Sequence, residues 1–140
     1  MTFANRVEAE IVGLHRFLED WFTAAVPNSS ETFARLAQAW SAPLLLISPT
    51  NEFLSASTVL QTTMAQYGAF PGLKIGIRNL QVTAECDSAV AIALYEEWHI
   101  EQGQSSDVRL CSTAFVEDSS RPNAVRWVHV HESPLCGYGR

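Results

Sequence analysis

Apolar positions recur every three or four residues from the start of the chain: Val7, Ile11, Leu14, Leu18, Trp21 and Ala25 fall on one stripe, the spacing of a helix face. Phe17 and Phe22 flank that stripe, so the apolar arc is wide and the helix is expected to lie between two surfaces. Pro27-Asn28 ends it. The pattern restarts in "SSETFARLAQAW", where Ser29 or Ser30 can cap and Phe33, Leu36, Ala37 and Trp40 share a face. Pro43 closes that helix. "LLLIS" and "EFLSA", on either side of "PTN", predict two short strands around a turn. "STVLQTTMAQY" predicts a third helix with Val59, Leu60, Met64 and Tyr67 apolar, stopped by Gly68 and Pro71-Gly72.

Beyond Gly72 the apolar period shortens to two. Four β-rich runs follow, about Leu73–Glu85, Ala89–Gln102, Val108–Glu117 and Ala124–Glu132, separated by turns at "ECDS", "GQSS" and "DSSRPN". Three helices followed by a meander of long antiparallel strands predict an α+β fold with the helices on one face of the sheet. No linker or repeat interrupts residues 1–140, so one domain is expected, with an ordered core over about 3–135 and a short C-terminal tail.

Side chains alternate along a strand, and each run therefore divides into two faces. In the second run Val90, Ile92, Leu94, Glu96, Trp98 and Ile100 are bulkier and more aliphatic than Ala89, Ala91, Ala93, Tyr95, Glu97, His99 and Glu101. The aliphatic set is expected to face the helices. In the third run the same rule puts Val108, Leu110, Ser112, Ala114 and Val116 inward, against Arg109, Cys111, Thr113 and Phe115. In the last it puts Val128 and Val130 inward with Arg126 and Glu132, leaving Trp127, His129 and His131 outside. A slip of one residue exchanges the two faces.

Composition narrows the partners. The chain is 47% hydrophobic and 17% charged, with a net charge of −6 and no block of Lys or Arg, which argues against nucleic acid and anionic membrane. No stretch approaches a membrane span, and the first residues carry no secretory signal pattern. Cys86, Cys111 and Cys136 are scattered without metal-ligand spacing, as suits apolar fillers in a reducing, cytoplasmic setting.

The inward set holds few ionisable groups. Glu96 and Glu132, each on an apolar wall, are the candidate general acid/base pair for proton transfer on a bound ketone or alcohol. Trp21, Phe22, Tyr67, Trp98, Ser112 and Arg126 are the candidate lining of a cavity for a small apolar or weakly polar ligand, and His15 could also look into it. His99, His129 and His131 are weighed as zinc ligands, but no carboxylate spacing completes a site. Neither a metal nor a cofactor is expected. No nucleophile elbow occurs, and no basic run activates a cysteine. The other face, with Tyr95, Phe115, Trp127 and His129, is too apolar for water and predicts a symmetric homodimer through the sheets.

"HRFLEDWF" in the first helix, the "LLLISPTNEFLSAS" hairpin and the four long strands together resemble the nuclear transport factor 2-like (SnoaL-like) α+β cone. "VHVHES" (Val128 to Ser133) is similar to the last strand of the association domain of calcium/calmodulin-dependent protein kinase II, with Val128, His129, His131 and Ser133 on its pattern; "AVAIALYEEW" resembles the strand before. The resemblance covers nearly the whole chain and implies a pocket per subunit and homodimers. It spans isomerases, cyclases, dehydratases and assembly domains, so it leaves a binding or assembly role and an acid–base enzyme both open. Glu132 stands where the association domain carries an arginine, and Leu94 and Glu96 stand where another is expected.

Overall fold

The computed structural model describes residues 1–135, so Cys136 and the tail after it lie outside the described residues. Helix α1 (Phe3–Phe22) starts at Thr2, whose side-chain oxygen accepts from the Asn5 amide at 3.0 Å. Its buried side chains are Val7, Ile11, Leu14, Leu18 and Trp21 of the predicted stripe, with Phe3 and the ionisable Glu10 and His15; the helix ends at Phe22, so Ala25 lies beyond it and is exposed. α2 (Ser30–Ala39) and α3 (Ala56–Ala65) are capped the same way by Ser29 and Ser55.

The sheet comprises β1 (Leu45–Ile47), β2 (Phe53–Ser55), β3 (Leu73–Cys86), β4 (Val90–Glu101), β5 (Gln104–Glu117) and β6 (Val125–Pro134), in the order β2-β1-β6-β5-β4-β3. All pairings are antiparallel except that β1 runs parallel to β6, with Leu46 beside Val130. Two tight turns join the long strands: Asp87-Ser88 and Gln102-Gly103, each with both residues at positive φ, the backbone that matches strand twist. The second turn comes earlier than "GQSS" suggests, because Gly103 supplies its left-handed position and Gln104 already pairs with Glu101. Register shifts in β3, one of them beside Asn79 at φ 54°, and in β5–β6 bend the strands. The result is three helices in the hollow of a curved, open, mostly antiparallel sheet.

The predicted facing of β4 and β5 is reversed. Ala91, Ala93 and Tyr95 are buried against the helices, while Val90 and Ile92 are 43% and 44% exposed on the other side. Cys111, Thr113 and Phe115 are likewise inside and Leu110 outside. The reason lies in cross-strand size matching: Ala91 sits opposite Phe115, and Cys111 opposite Tyr95. Small residues mark where neighbouring rings need room, so the inner face looks less bulky strand by strand although it is densely filled. In β6 a bulge at Val128 puts both Trp127 and Val130 inside and keeps His129 and His131 out. Tyr95, Phe115 and Trp127, expected on a dimer surface, are therefore core residues at 1%, 0% and 0% exposure. Of the cysteines, Cys111 is a buried filler and Cys86 is exposed.

Glu10 locks the helices to this core. It is fully buried and accepts hydrogen bonds from Arg35 Nη2 at 2.7 Å, Arg35 Nη1 at 3.2 Å, Asn123 Nδ2 at 2.9 Å and Trp127 Nε1 at 2.9 Å. One carboxylate thereby ties α1 to α2, to the β5–β6 connection and to β6. Removing one partner of a buried ion pair costs about 3–5 kcal/mol, because the other charge is left uncompensated. Arg35→Met is expected to lower the free energy of unfolding by about 3 kcal/mol in urea titration. A loss under about 1 kcal/mol would show the pair to be dispensable.

Candidate functional site

Between α1, α3 and the inner face of the sheet lies a cavity of about 540 Å³, within the range of small-molecule sites. Leu18, Phe22, Leu46, Leu54, Val59, Phe70 and Val130 form its apolar walls. Its polar end is built from four elements: His15 on α1, Glu97 and His99 on β4, Arg109 on β5 and Glu132 on β6. Strand alternation puts Glu97 and His99 on one face of β4, and antiparallel pairing sets Arg109 opposite Glu97. Helical spacing presents His15 from the turn above Ile11.

Hydrogen bonding defines the protonation of this end. His15 Nδ1 lies 2.7 Å from the Ile11 carbonyl oxygen, so it carries a proton and donates. His15 Nε2 stands 2.9 Å from Glu97 Oε1, and a second proton must sit between them. His15 and Glu97 therefore form an imidazolium–carboxylate pair or its neutral tautomer, and the pair has no net charge in either form. Glu97 Oε2 also accepts from His99 Nε2 at 2.6 Å. Burial pushes the Glu97 carboxyl up, but His15 and His99 outweigh it and hold the group below the usual carboxylate range. Burial likewise works against charge on His15, and Glu97 overrides it, so the imidazole is raised.

Glu132 is the opposite case. Burial, and then the neighbouring Glu97, push its carboxyl up to about 7. Arg109 offsets this only partly: its Nη1 lies 3.3 Å from both Glu132 oxygens, while its Nε donates to Asp107 at 2.7 Å. Burial raises the Cys111 thiol, with Glu97 adding to it, and burial also keeps the Tyr95 hydroxyl protonated. Cys111 is thus a poor nucleophile.

The residues expected from sequence are divided by the sheet. Glu132 and Phe22 line the cavity. Trp21 is packed beside it, donating from Nε1 to the Thr63 carbonyl at 2.9 Å, with the Tyr67 ring 4.8 Å away. Tyr67 spends its hydroxyl on the Val26 carbonyl. Glu96, Trp98, Ser112 and Arg126 lie on the outer face. There Glu96 accepts from Trp98 Nε1 at 2.9 Å and Asn79 Nδ2 at 2.6 Å, which hold its carboxyl below its ordinary value. Trp98 carries the Arg78 guanidinium 4.0 Å above its ring, and Arg126 pairs with Asp118 at 3.4 Å. Glu96 is thus a wet, hydrogen-bonded surface carboxylate, one residue away from the glutamate that faces the cavity.

Glu97 and Arg109 are not among the residues expected from sequence, and His99 is expected only as a metal ligand, because bulk along β4 and β5 points to the opposite face. The available signal was their shared parity with Tyr95 and Phe115. As for metals, His129 and His131 are separated from His99 by the sheet and do not converge with it. Among the described residues, Glu97, Cys111 and Glu132 bring one ligand atom each within 4.8 Å of one another. Arg109 beside Glu132 is a poor neighbour for a metal ion.

No family model matches the sequence, and no curated protein matches it. Solved structures do. A nuclear transport factor 2-like protein of unknown function from Pseudomonas aeruginosa superposes with a TM-score of 0.81 at 18% identity, covering 93% of this chain and 98% of its own. The calcium/calmodulin-dependent protein kinase II hub of S. rosetta gives a TM-score of 0.69 at 12% identity over 94% and 96% of the two chains. The association domain of that kinase from C. elegans gives 0.62 at 14% identity over 93% and 97%. The chain has the nuclear transport factor 2-like fold.

Proposed function

We propose that this chain is a single ligand-binding domain that holds a small, largely apolar molecule in the cavity and self-associates through the outer face of its sheet. The observation that carries the binding reading is an apolar cavity of about 540 Å³ closed at one end by buried, hydrogen-bonding charge at Glu97, Glu132 and Arg109. Apolar walls supply affinity, and the few convergent polar groups fix orientation. Self-association is supported by the exposed aliphatic surface of Val90, Ile92 and Leu110 and by the hub and association domains among the similar structures. Thr62 is exposed yet lines the cavity, so Thr62→Trp narrows the entrance without disturbing the core. A neutral aromatic probe, 2-naphthol, is expected to bind with a Kd on the order of 100 μM or tighter, and at least tenfold more weakly to Thr62→Trp. Equal binding to both proteins would place the probe elsewhere and refute the cavity as the site.

The outer-face reading has its own measurement. Light scattering at micromolar concentration should give a dimer or larger, and Ile92→Glu or Leu110→Glu should give a folded monomer, since a buried charge opposes association at an apolar contact. A monomeric parent protein would end this part of the proposal.

A second reading is favoured by Glu132. A cavity carboxyl pushed up to about 7 can both give and take a proton near neutrality, which suits an isomerase, cyclase or dehydratase. The carboxyl binds its proton more tightly in the folded chain than its ordinary value of 4.5 implies. The protonated form therefore stabilises the fold at low pH, and this contribution is lost as pH rises from there through about 7. Glu132→Gln cannot titrate. Its stability relative to the parent protein should rise by about 3 kcal/mol between acid and mildly alkaline pH, measured by urea unfolding. A pH-independent difference would remove the raised carboxyl and with it this reading's support.

A further inference from the structure

The charges around the cavity do not balance. Glu97, Glu101 and Glu132 line it, and Arg109 is the single arginine or lysine among the described lining residues. Glu97 is answered by His15, with which it shares one proton. Arg109 is then asked to serve Glu132 at 3.3 Å and Asp107 at 2.7 Å together, while Glu101 adds a further carboxylate along the same face of β4. The wall is short of a cation beside a carboxyl that burial and then Glu97 already push up.

Geometry fits a cation of a particular kind. Glu97 and Glu132 bring carboxylate oxygens within 4.8 Å of each other. One ammonium nitrogen donating at about 2.8 Å to each can span that gap. The remaining walls are aliphatic and aromatic, which suits an organic body rather than a bare ion. Trp40 also lines the cavity, and its indole N–H is buried with no hydrogen-bond partner among the described residues.

We propose that the ligand of this cavity is an organic amine, a primary or secondary ammonium on an apolar ring-sized body, with the ammonium held between Glu97 and Glu132. This rests on the reading of the cavity as a binding site and names the class of molecule it takes. Bound ammonium supplies the missing counter-charge, so Glu132 ionises on binding and its proton leaves to solvent. The groups that face this exchange are His15, Glu97, His99, Glu101, Arg109 and Glu132 around the cavity, with Asp107 on Arg109 and Cys111 and Tyr95 behind them.

The test compares three molecules of one shape by calorimetry near neutral pH: tyramine, its alcohol analogue tyrosol, and 3-(4-hydroxyphenyl)propionate. Tyramine should bind at least tenfold more tightly than tyrosol, and the carboxylate should bind most weakly. Repeating the tyramine titration in buffers of different ionisation enthalpy should show net proton release, with none for tyrosol. In Glu132→Gln the preference of amine over alcohol should shrink several-fold and the proton release disappear. Should that variant fail to fold, the proton release of the parent protein still decides. Tyrosol binding as tightly as tyramine, or the carboxylate binding best, would overturn the amine assignment and leave the cavity standing. No binding by any of the three, together with no binding of 2-naphthol, would overturn both.

Discussion

Helix α1 can lie on this sheet only where two buried ionisable side chains both find their partners. Glu10 must meet Arg35, Asn123 and Trp127, and His15 must meet Glu97. The two positions are five residues apart, so they look to different strands: Glu10 to β6, and His15 to β4. A shift of the helix by one turn would strand a carboxylate and an imidazole in an apolar interior, at a cost of several kcal/mol for each. An all-aliphatic stripe would tolerate sliding, since hydrophobic contact is nondirectional. The polar pair converts a greasy contact into a defined register, and the cavity inherits its shape from that register.

The same two nodes divide the molecule into a sealed end and an open end. Both oxygens of Glu10 are matched by donors, and beside its partner Trp127 the rings of Trp40 and Phe115 pack, with Phe115 and Trp127 centred 4.5 Å apart. Around Glu97 the matching continues outward through His99 and Arg109 but stops at the cavity wall. The bulges in β3 and β6 bend the sheet whose inner face forms one side of the cavity.

Much of this was legible in the sequence, and the limit is physical. Helical periodicity located α1, α2 and α3, because each buries one stripe and begins at a serine or threonine cap. The four long strands were legible from period two and turn residues. Facing was not, because the size rule assumes that the bulkier side of a strand packs inward. Ala91 and Ala93 break it by leaving room for Phe115 and its neighbours, information that resides on another strand. The bulge at Val128 breaks alternation itself. Glu132 was legible as a buried carboxylate because β6 returns to the predicted phase after the bulge. Glu96 was not distinguishable from Glu97, since the two adjacent glutamates differ only in which side of β4 they occupy.

That difference of one position decides the chemistry. Glu96, on the outside, is held ionised by hydrogen bonds from Trp98 and Asn79. Glu97, inside, stays ionised only because His15 and His99 surround it. Glu132, inside and sharing its arginine with Asp107, is the carboxyl driven toward its neutral form. Two carboxyl groups side by side are thus shifted in opposite directions, Glu97 down and Glu132 up, by unequal allotment of cations rather than by unequal burial. Pairs arranged in this way respond to whatever enters beside them: a cation releases the proton of Glu132, whereas a neutral oxygen is met by a carboxyl that can donate to it. Arg109 and Asp107, one step behind Glu132, therefore set the charge that this wall of the cavity presents.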